Sequence, residues 1–183
     1  IQIYCDFSAY TDIAIGVAAL LGYQFAQNFD SPYRATSLQN FWRRWHISLS
    51  TWLRDYLYIS LGGSRHGPLK TYRNLFLTMF LGGLWHGAAW NFVIWGTLHG
   101  LALGVERWLI SVFRVHYQPG RIYRAIQIAA VFHFVCLTWI FFRAADLDLA
   151  MELIRTLCDF EWSVSQLTPF TLALIIVGFA GQF

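Results

Sequence analysis

Apolar positions along the 183-residue chain gather into long runs, separated by short breaks that carry Arg, Lys, Pro or paired Gly. The first run, Ile1 to Phe25, is nearly continuous and predicts a membrane span over 1–25. Asp6 and Asp12 interrupt it. A carboxylate at the centre of a membrane helix costs about 2.5–3.5 kcal/mol on insertion scales, so both are expected to face protein or a water-filled cavity. Asn28, Asp30, Ser31 and Pro32 then break the helix.

Residues 37–60 follow a different pattern. Leu38, Phe41, Trp42, Trp45, Leu49, Trp52, Leu53, Tyr56 and Leu57 repeat at three-four spacing, while Arg43, Arg44, Ser50, Arg54 and Asp55 take the other side. Thr36 and Gln39 have the spacing of a capping box, and Gly62-Gly63 supplies a stop. One amphipathic helix lying in the membrane interface is the expectation.

Arg65, Lys70 and Arg73 mark the next loop, and Arg107, Arg114, Arg121 and Arg124 mark a second basic segment. The positive-inside rule places both on the cytoplasmic side. Between them, 74–107 measures about 51 Å as a straight helix, against about 30 Å of hydrocarbon. A single crossing would also separate the two basic ends. The segment is therefore predicted to enter and turn back, re-entrant or double-pass, around Gly82, Gly83 and Gly87, with His86 at the turn. A second span is expected over 125–142, a short amphipathic helix over 146–158 and the start of another span over 167–183. No internal repeat or low-complexity tract is present. The fold class implied is all-α: a polytopic integral membrane domain of spanning, re-entrant and interfacial helices.

Composition agrees with that class. Hydrophobic residues make up 57% and charged residues 13%, about half the charged share of a soluble domain. A water-soluble chain of this length could not bury so much apolar surface around one core. The chain opens at Ile1 and closes at Phe183, each inside an apolar run, and is read as a piece of a longer protein. Cys5, Cys136 and Cys158 lack CxxC spacing and read as small buried hydrophobes.

His86 is the sharpest chemical candidate. Small neighbours in GGLWHG (82–87) allow another group to approach its ring, and an imidazole with a reference pKa near 6.5 can take a hydroxyl proton near neutral pH. The bland alternative is a histidine packed and hydrogen-bonded between helices. His46, at the edge of the amphipathic stripe, could face a cavity beneath the turn or lie at the interface. His99 and His133 read as helix–helix hydrogen-bonding residues, and His66 and His116 as loop residues. No HExxH, GxSxG or phosphate-loop pattern occurs, so no metal or bound cofactor is expected. The basic residues sit in short loops between apolar runs, which favours lipid head groups or an anionic donor over nucleic acid.

Several stretches together resemble the membrane-bound O-acyltransferase family. They are YCDFSAYTD (4–12), NFDSPY (28–33), FWRRWHISLSTWLRDY (41–56), GGSR (62–65), GGLWHGAAW (82–90), Trp95-Gly96, His99-Gly100 and FFR (141–143). The resemblance is closest to the branch that serves bacterial alginate O-acetylation, with teichoic acid D-alanylation more distant. It implies His86 as the catalytic histidine and His46 as a second, upstream catalytic position. Asp6, Asp12, Arg43, Arg44, Trp85, Trp90 and Asn91 become candidates for the substrate channel. It further implies a multi-pass protein of the bacterial inner membrane. The donor would be acetyl-CoA or another cytoplasmic acyl thioester, and the acceptor an extracytoplasmic polysaccharide or a periplasmic acetyltransferase partner. Two rivals follow from the residues: a transporter or channel lined by Asp6, Asp12, His46 and His86, and a conduit that passes acyl groups to a partner enzyme.

Overall fold

A computed structural model describes residues 1–113 and 120–159, together with 173, 176 and 177. The predicted span start at 167–183, Arg114 and His116 lie outside the described residues apart from those three. Every regular element among the described residues is helical. Helix α1 is Gln2–Leu20, a 3₁₀ turn covers Pro32–Arg34, α2 is Leu38–Trp42, and α3 is Ile47–Trp52 with a π-helical continuation over Leu53–Tyr58. Then come α4 (Pro68–His86), α5 (Trp90–Phe113), α6 (Arg121–Arg143) and α7 (Leu147–Cys158). Helices α1 and α6 are long and apolar enough to cross a membrane.

Helix α1 ends before Phe25. The amide of Gly22 donates to Ala19 O and that of Tyr23 to Ala18 O, each from the turn that Gly22 makes at φ +84°. This is the Schellman stop, which needs a left-handed residue and finds its glycine inside the apolar run.

The 37–60 segment is not one helix. Ser37, not Thr36, caps α2, its hydroxyl accepting from Asn40 N at 3.0 Å. Glu106 of α5 accepts from the Leu38 and Gln39 amides, so two of the free donors at this helix start meet a carboxylate. The helix then breaks at Arg43–His46 because a distant strand-like segment competes for its backbone. Asp30 N donates to Arg44 O and Ile47 N to Asn28 O, each at 3.0 Å, flanking an antiparallel bridge between Phe29 and Trp45.

The 74–107 segment folds back on itself as two antiparallel helices, α4 and α5, joined through Gly87–Ala89. The turn follows His86, while Gly82 and Gly83 remain helical and buried. Gly83 lies against Gly96: a Cβ on Gly83 would stand 2.4 Å from Phe92 O and 3.1 Å from Gly96 Cα. Small residues here let the two backbones touch. The hairpin brings the start of α4 and the end of α5, with their basic residues, to one end.

The core forms where the α2–α3 break meets α1, α5 and α6. Phe41, Trp45, Trp95, Val135 and Trp139 are buried there, with Tyr4, Phe7, Phe29 and Phe142 packed around them. Asn74 is fully buried on α4; its amide donates to Leu61 O at 3.0 Å and to Gly63 O at 2.9 Å, fastening the Gly62-Gly63 turn.

Candidate active site

The two histidines singled out from the sequence meet at this core. His86 is the last residue of α4 and half-buried. Its ring lies 5.0 Å from Phe142 and 5.5 Å from Trp95, both edge-on, with Trp85 at 5.1 Å and Phe92 at 6.1 Å. Four aromatic rings from α4, α5 and α6 thus surround the imidazole. None of the hydrogen bonds among the described residues involves its ring nitrogens.

His46 occupies the break between α2 and α3 with a left-handed backbone, φ 44° and ψ 56°. Its ring packs edge-on against Phe7 of α1 at 4.8 Å. Asn28 defines its tautomer through Ser48. Asn28 Oδ1 accepts both Ser48 N, at 3.1 Å, and the Ser48 hydroxyl, at 2.7 Å. With that proton committed, the 3.4 Å contact between Ser48 Oγ and His46 Nδ1 requires His46 to donate. Nε2 is then the nitrogen with a free lone pair. Burial, and secondarily the nearby His86, hold the His46 imidazole below its usual pKa. Two imidazoles close enough to repel as cations favour neutral forms, which are the forms a base requires.

The other candidate residues divide. Asp6 and Asp12 are exposed on α1, where Phe7, not a carboxylate, makes the contact with His46. Arg44 is structural. Its guanidinium donates to Asn40 Oδ1 and to the carbonyl and carboxylate of Asp30, tying 28–30 to the break. Arg43 is exposed. Trp85 touches His86, whereas Trp90 is 73% exposed at the start of α5. Asn91 is buried and donates to Ala144 O at 3.0 Å, fixing α5 to the end of α6.

His99 does join two helices. Thr138 gives its hydroxyl proton to Val135 O at 2.9 Å, so at 3.0 Å it accepts from His99 Nε2. His133 instead donates from Nδ1 to Ala129 O, at 2.7 Å, within its own helix. Cys5 and Cys158 are exposed and Cys136 is half-buried, contrary to the buried reading. Among the described residues no group of His, Cys, Asp and Glu could hold a metal ion.

Sequence reasoning missed Asn28, Ser48, Phe7 and Phe142 as parts of the site. The signal for Asn28 and Phe7 was the NFDSPY and YCDFSAYTD stretches, which mark resemblance without saying which atoms meet.

The site defines a class: an all-helical bundle with two neighbouring histidines, one at the end of α4 just before the hairpin turn and one in a kinked helix. The profile of the family described as MBOAT, membrane-bound O-acyltransferase, matches residues 1–145, and the chain belongs to that family. It is 48% identical to the probable alginate O-acetylase of Azotobacter vinelandii over 97% of this chain and 36% of that protein. It is 46% identical to the peptidoglycan O-acetyltransferase of Helicobacter pylori over 84% of this chain and 29% of that one. The teichoic acid D-alanyltransferase of Bacillus subtilis is 30% identical, over 73% and 36%. The chain spans about a third of the length of these relatives.

Proposed function

We propose that this chain carries the acceptor-activating site of a membrane O-acetyltransferase of the alginate type. The protein would be multi-pass in the bacterial inner membrane. It would take an acetyl group from a cytoplasmic thioester, acetyl-CoA or a similar donor, to a hydroxyl on an extracytoplasmic polysaccharide or on a periplasmic acetyltransferase partner. The observation that carries the reading is the pairing of His86 and His46 at the junction of α1, α4, α5 and α6, with His46 Nδ1 held by Ser48 and its Nε2 left with a free lone pair.

His86 accepts the proton of the attacking hydroxyl. The hydroxyl oxygen forms the new ester bond to the acyl carbon, the carbon–sulfur bond breaks, and the imidazolium returns its proton to the leaving thiolate. His46, with Nε2 as acceptor, orients the hydroxyl or shares its proton. General-base assistance of this kind is typically worth about 10²- to 10⁴-fold, and positioning of donor and acceptor supplies much of the remainder.

His86→Ala, made in the complete protein, is expected to abolish polymer acetylation while expression and membrane insertion persist. Acetate retained on the polymer at the wild-type level rejects the catalytic role. Acyl transfer by purified protein, with donor and acceptor but without any partner enzyme, distinguishes direct transfer from a conduit.

A further inference from the structure

A cavity lies away from the histidines, at the basic end of the α4–α5 hairpin. Its volume is about 850 Å³. Leu69 and Phe76 of α4 and Leu101 and Val105 of α5 form its walls, and the lining is almost wholly apolar. Gly100 and Gly104 are its floor. Gly100 is pressed onto Phe76, so a Cβ there would stand 3.0 Å from Phe76 Cα, whereas at Gly104 nothing lies within 4 Å. The groove is therefore closed at one end by helix packing and open at the other.

Lys70 and Arg73 stand on its lining, one turn apart on α4. Both are exposed, and neither has a carboxylate partner among the described residues; Arg73 donates only to the neutral Asn74 Oδ1, at 3.2 and 2.9 Å. Glu106, the nearest acid along α5, is turned to the α2 amides. Tyr72 and Trp108 complete the lining, the aromatic types that sit at head-group level.

An apolar slot with two uncompensated cations at one mouth matches an amphiphile with an anionic head. We propose that this groove binds one anionic phospholipid of the cytoplasmic leaflet, its phosphate on Lys70 and Arg73 and an acyl chain over Gly104. The inference rests on the membrane placement of the family and not on acyl transfer. Basic pockets between membrane helices on the cytoplasmic side take such head groups.

The test is native mass spectrometry of the complete protein in detergent, titrated with phosphatidylglycerol or with phosphatidylcholine of the same chains. Phosphatidylglycerol is expected to bind preferentially. Lys70→Gln with Arg73→Gln should weaken it about thirtyfold, at the usual attraction per basic residue, and leave phosphatidylcholine unchanged. Lys70→Arg should retain phosphatidylglycerol. Gly104→Leu should fill the groove and weaken both lipids. Unchanged phosphatidylcholine binding shows that the charge variants are folded. Equal binding of the two lipids overturns the proposal, as does a double variant within about twofold of wild type. Displacement of phosphatidylglycerol by coenzyme A would also overturn it, by assigning the cations to a soluble anion. His86→Ala should bind the lipid normally whatever its activity, so failure of the lipid site and failure of the acyltransferase reading are separately visible.

Discussion

Gly83→Ala should damage activity more than any other single-methyl change on α4. The added Cβ would stand 2.4 Å from Phe92 O, about 1 Å short of the 3.4 Å at which ordinary contact begins, and 3.1 Å from Gly96 Cα. Both obstacles are backbone, so neither can swing aside as a side chain would. The helices must separate by several tenths of an ångström to about 1 Å at this level. Overpacking of this kind costs about 1–3 kcal/mol. His86 is three residues along the same helix, and Trp95, which packs on its ring, adjoins Gly96 on the other. A misplacement near 1 Å at reacting groups can cost about 10²-fold in rate. The expected result is a lower melting midpoint and an acetylation rate reduced by about one to two orders of magnitude. The rate is measured as acetate transferred per membrane-inserted protein, and the melting midpoint by fluorescence of the detergent-solubilised complete protein. Gly16→Ala is the matched control, since nothing lies within 4 Å of a Cβ there and alanine favours a helix. If Gly83→Ala kept wild-type rate and stability while Gly16→Ala did the same, close approach of α4 and α5 would have no bearing on the site, and the reasoning fails.

Glu106→Ala should uncap α2 and cost about 1–2 kcal/mol, seen as a lower melting midpoint, with Glu106→Gln intermediate because one oxygen can still accept. His46→Asn should fold at least as well as wild type, because asparagine tolerates the left-handed backbone, but lose most acetylation; full activity would remove His46 from the mechanism. Since burial and His86 keep the folded His46 pKa below its unfolded value, the unfolded chain takes up the proton first as pH falls. Stability is then complete above about pH 6.5 and declines below it, and chemical-denaturation midpoints in His46→Asn should decline less over the same window.

What could be read from the sequence was what depends on local pattern. The α4–α5 hairpin followed from two basic ends and a length too great for one crossing, and α6 from an uninterrupted apolar run closed by Arg143. The family resemblance pointed to His86 and His46, the pair that the fold brings together. The errors have a common cause: a non-local partner overrode a local preference. Gly22 stops α1 although the apolar pattern continues through Tyr23 and Phe25. The stripe over 37–60 is helical in period throughout, yet residues 28–30 take its backbone at Arg44 and Ile47. Glycine serves both turns and helix contacts, so local pattern alone makes turn residues of Gly82 and Gly83; only the facing Gly96 decides between the two roles.

That competition also explains how the site is held in place. A residue other than glycine in the left-handed region costs roughly 1–2 kcal/mol, and it persists only where the surroundings over-determine it. At His46 they do. The Phe29–Trp45 bridge holds the backbone on one side, Asn28 ties Ser48 on the other, Arg44 clamps Asp30, and Trp45 is buried among Phe29, Phe41 and Trp139. His86 is fixed by a different device, a helix end set by backbone contact between glycines and enclosed by rings. Two imidazoles anchored independently cannot drift together or apart with one loop, so their separation is a property of the core. The strain at His46 is therefore the cost of aiming a ring that a relaxed helix would have turned elsewhere.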